Sequence, residues 1–237
     1  MTDAPLLRVA GLTKRYGDQL ALAEVGFGLG AGEVVGLIGP NGAGKTTVLE
    51  CLAGLLPADA GTVRWAGKEL PPHRRKAALF YLPDGIAPDA EQPVSAVLSF
   101  FGRSWRLPGA HLAEAAAALA LDRVLTKPVG ALSKGYRRRL LLALGLLAPQ
   151  PLLAMDEPFD GLDLRQTREV MALLRQVAED GRALLLSIHQ LTDAERVCDR
   201  FVLLSAGQVR GEGTLPELRA AAGLPAGGLE EVFLALA

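Results

Sequence analysis

Short apolar runs alternate with turn residues at the start of the chain: Leu6 to Val9, Ala21 to Phe27, and Glu33 to Ile38 after Gly30-Ala31-Gly32. Runs of this length between glycine-rich breaks predict strands. From Lys45 to Leu56 the period changes. Val48, Leu49, Leu52, Leu55 and Leu56 recur at helical spacing and Pro57 ends the pattern, which predicts a helix directly after the third strand. Between Pro83 and Lys134, Pro and Gly breaks separate short helical patterns such as Ala110 to Leu121, and no run reads as a buried strand. A helical insertion is expected there. The β/α rhythm then returns, with a helix from about Tyr136, a buried strand at Leu152 to Met155, a helix at Leu164 to Ala178 and a strand at Ala183 to Ile188. Strands separated by helices predict a mainly parallel sheet covered by helices, with ligands at the C-terminal strand ends. The segment Gly223 to Gly228 reads as a hinge.

A chain of 237 residues can bury a full core, and 50% hydrophobic against 22% charged residues excludes a disordered polymer. With Lys+Arg 25 against Asp+Glu 26 the formal net charge is -1. No long-range basic field exists to attract nucleic acid or anionic lipid, so any polyanion must be bound locally. Cys51 and Cys198 are too few for a disulfide framework and lack zinc-ligand neighbours, which fits a reducing compartment. The start Met1-Thr2-Asp3-Ala4-Pro5-Leu6-Leu7-Arg8-Val9 lacks the basic residues and apolar run of a secretory leader, so a cytoplasmic protein is expected. Leu140 to Met155 is the most apolar stretch, but Pro149, Gln150 and Pro151 interrupt it short of the roughly 18 apolar residues of a spanning helix.

Gly39-Pro40-Asn41-Gly42-Ala43-Gly44-Lys45-Thr46 matches GxxxxGK[ST] between a predicted strand and a predicted helix. Its glycines let backbone N–H groups close around phosphate oxygens, and the helix N-terminus adds its positive end. Lys45 is suited to β and γ oxygens and Thr46 to Mg²⁺. Farther on, Pro151-Leu152-Leu153-Ala154-Met155-Asp156-Glu157 ends a buried strand in two adjacent carboxylates. Burying either without a partner is expensive. Asp156 would hold Mg²⁺ through its water shell while Glu157, pointing elsewhere, polarises a water attacking the γ-phosphate; an ordinary salt-bridged strand end is the alternative.

Leu132-Ser133-Lys134-Gly135-Tyr136-Arg137-Arg138-Arg139 resembles the LSGGQ segment of the ATP-binding-cassette (ABC) ATPases in an LSKG form. Nearly the whole chain follows that family's order: Tyr16, the phosphate loop, Tyr81-Leu82-Pro83-Asp84, the LSKG segment, Asp156-Glu157, Gly161-Leu162-Asp163 and His189. The resemblance implies an α/β P-loop NTPase fold with a mainly parallel core sheet, an N-terminal antiparallel β subdomain and a helical subdomain. It divides the chain into an ATPase domain at 1–220, with the helical subdomain inserted at about 85–145, and a C-terminal extension at 221–237 ending in a helix. It implies ATP held by Tyr16, Gly39, Pro40, Asn41, Gly42, Ala43, Gly44, Lys45, Thr46 and Thr47, and, from a second subunit, by Ser133, Gly135 and Asp163. Mg²⁺ would lie near Thr46, Asp84 and Asp156, with Lys45, Glu157 and His189 catalytic.

Ser133 is placed to cap the helix beginning near Tyr136, and Gly135 allows close backbone approach. Arg137, Arg138 and Arg139 sit in that helix's first turn, where the macrodipole disfavours cations; such a local conflict often marks function, although arginines facing solvent or acids explain it too. Tyr16 reads equally as an adenine-stacking ring or a strand-end packing residue, and Asp160 as a helix cap. His73 and His111 have no ligand-like neighbours. One departure stands out: Asp84 takes the place where the family usually has glutamine, and an ionised carboxylate donates no hydrogen bond. Either it tunes metal binding or the correspondence is shifted by a residue or more.

By resemblance the chain is the ATP-hydrolysing subunit of an export-type transporter, a homodimer or heterodimer of ATPase subunits on the inner face of the cell membrane. It would drive a separate integral-membrane permease through surfaces near Asp84 to Arg106, with no nucleic acid expected. The alternatives are a soluble switch on a ribosome, nucleic-acid or protein complex, or a cassette that binds ATP only to assemble a complex.

Overall fold

The computed structural model describes residues 5–237; the first four positions of the start judged to lack a leader lie outside the described residues. Strands β1 (Leu7–Tyr16) and β2 (Gln19–Leu29) form an antiparallel pair. Strand β3 (Val34–Ile38) is buried at every residue and runs through the phosphate loop into helix α1 (Lys45–Ala53). The helix ends before the Pro57 expected to stop it. Gly54 adopts φ 75 and the amides of Leu55 and Leu56 fold back onto the Glu50 carbonyl, an end that needs left-handed backbone. Strand β4 (Ala60–Trp65) pairs with β1 and with the two-residue β5 (Lys68–Glu69), completing an antiparallel sheet in the order β2-β1-β4-β5. A short helix α2 (Arg75–Ala78) leads to β6 (Leu79–Leu82).

Between β6 and the next strand the chain is helical, as its broken periodicity predicts, with α3 (Val94–Ser104) and α4 (Gly109–Ala118). Helix α5 (Lys134–Leu147), strand β7 (Leu152–Asp156), helix α6 (Leu164–Glu179) and strand β8 (Ala183–Ile188) follow. Helix α7 (Leu191–Val197), β9 (Arg200–Ser205), β10 (Gln208–Gly213), α8 (Leu215–Ala221) and α9 (Leu229–Leu236) complete the chain. The second sheet has the order β10-β9-β3-β8-β7-β6, antiparallel only at β10–β9. β8 shows how it is covered on both faces. Leu184, Leu186 and Ile188 face the helical layer, while Ala183 and Leu185 join the core shared with the antiparallel sheet and α1.

The Gly223 to Gly228 segment is tied down at its C-terminal end. Arg219 Nε donates to the Gly227 carbonyl at 2.6 Å, the Gly228 amide donates to Glu231 at 2.8 Å, and the Leu229 amide donates to Glu195 on α7. Burial of Leu229 and Val232 seats α9 behind these bonds.

Replacing the fully buried Leu186 by alanine is expected to cost about 2–5 kcal/mol, read from the urea unfolding midpoint. The same change at Leu234, 75% exposed, should stay within about 0.5 kcal/mol.

Candidate functional site

Three neighbouring parallel strands, β3, β8 and β7, deliver their C-terminal ends to one place. From β3 comes the phosphate loop. A Cβ on Gly39 would meet the Leu204 carbonyl oxygen at 2.2 Å, and one on Gly44 (φ 106) would meet Leu22 at 2.7 Å, so only glycine lets the loop pass so close to β9 and β2. Lys45, 7% exposed, folds over the loop and donates from Nζ to the Gly39 carbonyl at 2.8 Å.

From β7 come the two acids. Asp156 is 3% exposed, and its carboxylate accepts hydrogen bonds from Thr46 Oγ1 at 2.7 Å and from the Ser187 hydroxyl. Glu157 follows at φ 48, a left-handed conformation rare for a non-glycine residue, and its amide bonds to the Ser187 carbonyl at 3.2 Å. The backbone therefore turns between the acids, and Glu157 ends 4.0 Å from Lys45 Nζ and 2.5 Å from Nδ1 of His189, which follows β8. Backbone held in such a sparsely populated region tends to be found where side chains must be aimed.

A cavity of about 540 Å³ opens over these groups, lined by Asn41, Gly42, Gly44, Lys45, Thr46, Thr47, Asp84, Asp156 and Glu157, and by Gln19, Leu20 and Ala21 at the start of β2. Gly39, Pro40 and His189 line an adjoining cavity of about 290 Å³. Tyr16 lines neither. Tyr16 is 48% exposed, its backbone is paired across the turn with Gln19, and its ring centre sits 5.7 Å from the Lys14 ammonium.

Ser133, Gly135 and Asp163 form a separate group. Ser133 caps α5 through the Tyr136 amide at 3.4 Å, and Asp163 caps α6 in a capping box with Gln166. A Cβ on Gly135 would lie 3.1 Å from the Gly161 carbonyl, so the start of α5 is pressed onto the loop before α6. Asp160 caps no helix; it pairs with Lys134 at 2.8 Å, and that bond holds its carboxyl below the usual carboxylate range. Of the three arginines, Arg137 is exposed, Arg139 lies over the Tyr136 ring and Arg138 is buried against Asp84.

Ser187, Tyr81 and Arg138 are site residues that the sequence reading did not single out for a role. Ser187 had a signal, the lone hydroxyl inside an apolar strand. Tyr81 Oη is buried with no hydrogen-bond partner among the described residues, and burial, followed by the Asp156, Glu50 and Asp84 charges, pushes its phenol up. The Thr46 hydroxyl and the Asp156 carboxylate are hard oxygen groups lining an open polar cavity. They fit Mg²⁺, which takes one or two protein ligands and keeps several waters. Among the described residues no three His, Cys, Asp or Glu side chains converge as a metal cage.

Two outcomes test this geometry. Tyr81→Phe should raise stability by about 1 kcal/mol in metal-free urea titrations, because an unsatisfied buried hydroxyl is removed; a loss of stability would show that the phenol is already bonded. Lys134→Ala should return the Asp160 pKa upward to the ordinary range in a carbon-13 NMR titration. A depressed carboxylate adds stability that is complete above its unfolded pKa and is lost as pH falls through its folded value, so the variant should lose stability at neutral pH and differ little from the parent in strong acid.

The family described as ABC transporter matches residues 22–160. The chain is 37% identical over 225 residues to a Nod factor export ATP-binding protein I of Ralstonia nicotianae, covering 91% of this chain and 69% of that protein. It is 32% identical over 221 residues to an uncharacterized ABC transporter ATP-binding protein of Methanocaldococcus jannaschii, covering 90% and 79%. A solved ATP-binding subunit of an ABC transporter superposes with TM-score 0.89 at 32% identity over 98% of this chain and 99% of that one. A bacterial Atm1-family ABC exporter with ATP bound shares the fold at TM-score 0.83 and 21% identity, over 99% of this chain and 43% of its own. With the P-loop geometry, the Asp156-Glu157 strand end and the order of motifs, these likenesses mean that the chain belongs to the ABC transporter family, as an ATP-binding subunit.

Proposed function

We propose that the protein binds and hydrolyses ATP to power export through a separate membrane-spanning permease, working as a head-to-tail pair of ATPase subunits on the inner face of the cell membrane. The observation that carries this reading is the convergence of Lys45, Thr46, Asp156, Glu157 and His189 at the ends of three adjacent strands. The phosphate loop cradles the triphosphate through its backbone N–H groups, and Lys45 exchanges its carbonyl partners for β and γ oxygens. Thr46 and the carboxylate of Asp156 would hold magnesium, which would neutralise charge developing on the phosphates. Glu157 accepts the proton of the attacking water, and His189, bonded to it, orients that water and the γ-phosphate.

The Ser133–Gly135 and Asp163 group lies outside the cavity of its own chain, which supports the family arrangement in which a second subunit completes the site. The Nod factor export relatives support an export direction. No helix among the described residues is long and apolar enough to cross a membrane, so the pathway is assigned to a partner. Phe100, 59% exposed on α3 beside Pro88, Gln92 and Val97, supports docking of that partner on the helical segment.

Glu157→Gln should still bind ATP and hold the dimer closed while turnover falls by about 10²–10⁴, measured by filter binding, size-exclusion chromatography with ATP, and phosphate release. Hydrolysis at the parent rate would remove Glu157 from the role of base. Purification from the native host in mild detergent should recover a chain with several spans of about 20 apolar residues. Recovery of ribosomes or nucleic acid in its place would make the protein a soluble switch.

A further inference from the structure

Arg138 lies in the second turn of α5, which begins at Lys134 and not near Tyr136, and its cationic side chain is only 6% exposed. A buried guanidinium persists only where its donors are taken up, and here each goes to a different part of the chain. Nη2 donates to the Asp84 carboxylate, in the loop after β6. Nε donates to the Asp160 carbonyl at 3.3 Å, in the loop before α6, and Nη1 reaches the Asp156 carbonyl at 3.5 Å, at the end of β7. Asp84 borders two cavities, the phosphate-loop cavity and a groove with Lys134, Arg137 and Arg138. The Asp84 carboxylate is thus compensated by a cation from α5.

We propose that Arg138 is a positioning residue which, paired with Asp84, clamps the N-terminal end of α5 to the loop after β6 and to the strand end carrying Asp156 and Glu157. The two side chains act as one matched unit. The fork geometry of arginine lets a single residue hold all three segments, so that a shift of α5, which carries Ser133 and Gly135, is felt at the carboxylates, and a shift of Asp84 is felt at α5. The catalytic half of this inference rests on the ATPase reading; the clamp itself does not.

A double-mutant cycle separates the two. Asp84→Gln, Arg138→Gln and the double variant, whose facing amides can hydrogen-bond, are compared with the parent by amide hydrogen exchange at residues 134–139 and by kcat and KM for ATP. Each single change should speed exchange at these amides about tenfold and lower kcat about tenfold with KM within about threefold. The double variant should return both to within about threefold of the parent, a coupling of about 2–3 kcal/mol. Exchange effects that simply multiply in the double variant would overturn the clamp, and an effect on KM alone would overturn its role in positioning the strand end. A parent that shows coupled exchange but no ATP turnover removes the ATPase reading and leaves the clamp standing. If Arg138→Gln does not fold, the charge-retaining cycle of Arg138→Lys and Asp84→Glu is read the same way.

Discussion

A carboxylate almost fully withdrawn from water at the end of β7 sets the terms for everything around it. Asp156 is 3% exposed, and a buried anion is tolerated only with donors aimed at it. Those donors come from two other elements, the Thr46 hydroxyl at the start of α1 and the Ser187 hydroxyl on β8. Neither can reach unless β7 and β8 keep the register that sets Asp156 beside Ser187, and unless α1 starts immediately after the phosphate loop. The electrostatics of one residue therefore bind the sheet register to the geometry of the loop.

The left-handed turn at Glu157 follows from the same constraint. Two consecutive residues of an extended strand point to opposite faces, which would send the second acid into the sheet's other layer. Turning the backbone at φ 48 keeps Glu157 on the ligand side, where Lys45 and His189 share its charge. The strain is offset by the Glu157 amide's bonds to Ser187. Function here depends on backbone geometry as much as on side-chain identity.

Buried strands and the phosphate loop were legible in the sequence because apolar runs and glycine spacing report them directly. β8 runs over Ala183–Ile188 as its apolar run, interrupted only by Ser187, predicts. Strands β4 and β5 were not legible. Only Val63 of β4 is buried, and pairing with β1 is a long-range event with no local pattern. Within the site, Lys45 and Thr46 stood out through the glycine spacing of the phosphate loop, and Asp156 and Glu157 because two charges end an apolar run. The partnership of Asp84 with Arg138 was invisible because a tertiary contact joins residues that no local spacing relates. Asp163 is the cap of α6 and Asp160 is not, since the choice between neighbouring acids depends on where the chain turns after Gly161.

The last helix bears on the site although no motif lies in it. His189 is 48% exposed, and beyond its bond to Glu157 its position depends on the segment that follows it. That segment is α7, where Ala194 and Val197 are buried and Glu195 accepts the Leu229 amide at the start of α9. Phe233 of α9 closes the small cavity shared by His189, Pro40 and Asn41. The apolar repeat of Leu229, Val232 and Phe233 thus does more than seat α9: through Phe233 it also lines the cavity that His189 shares.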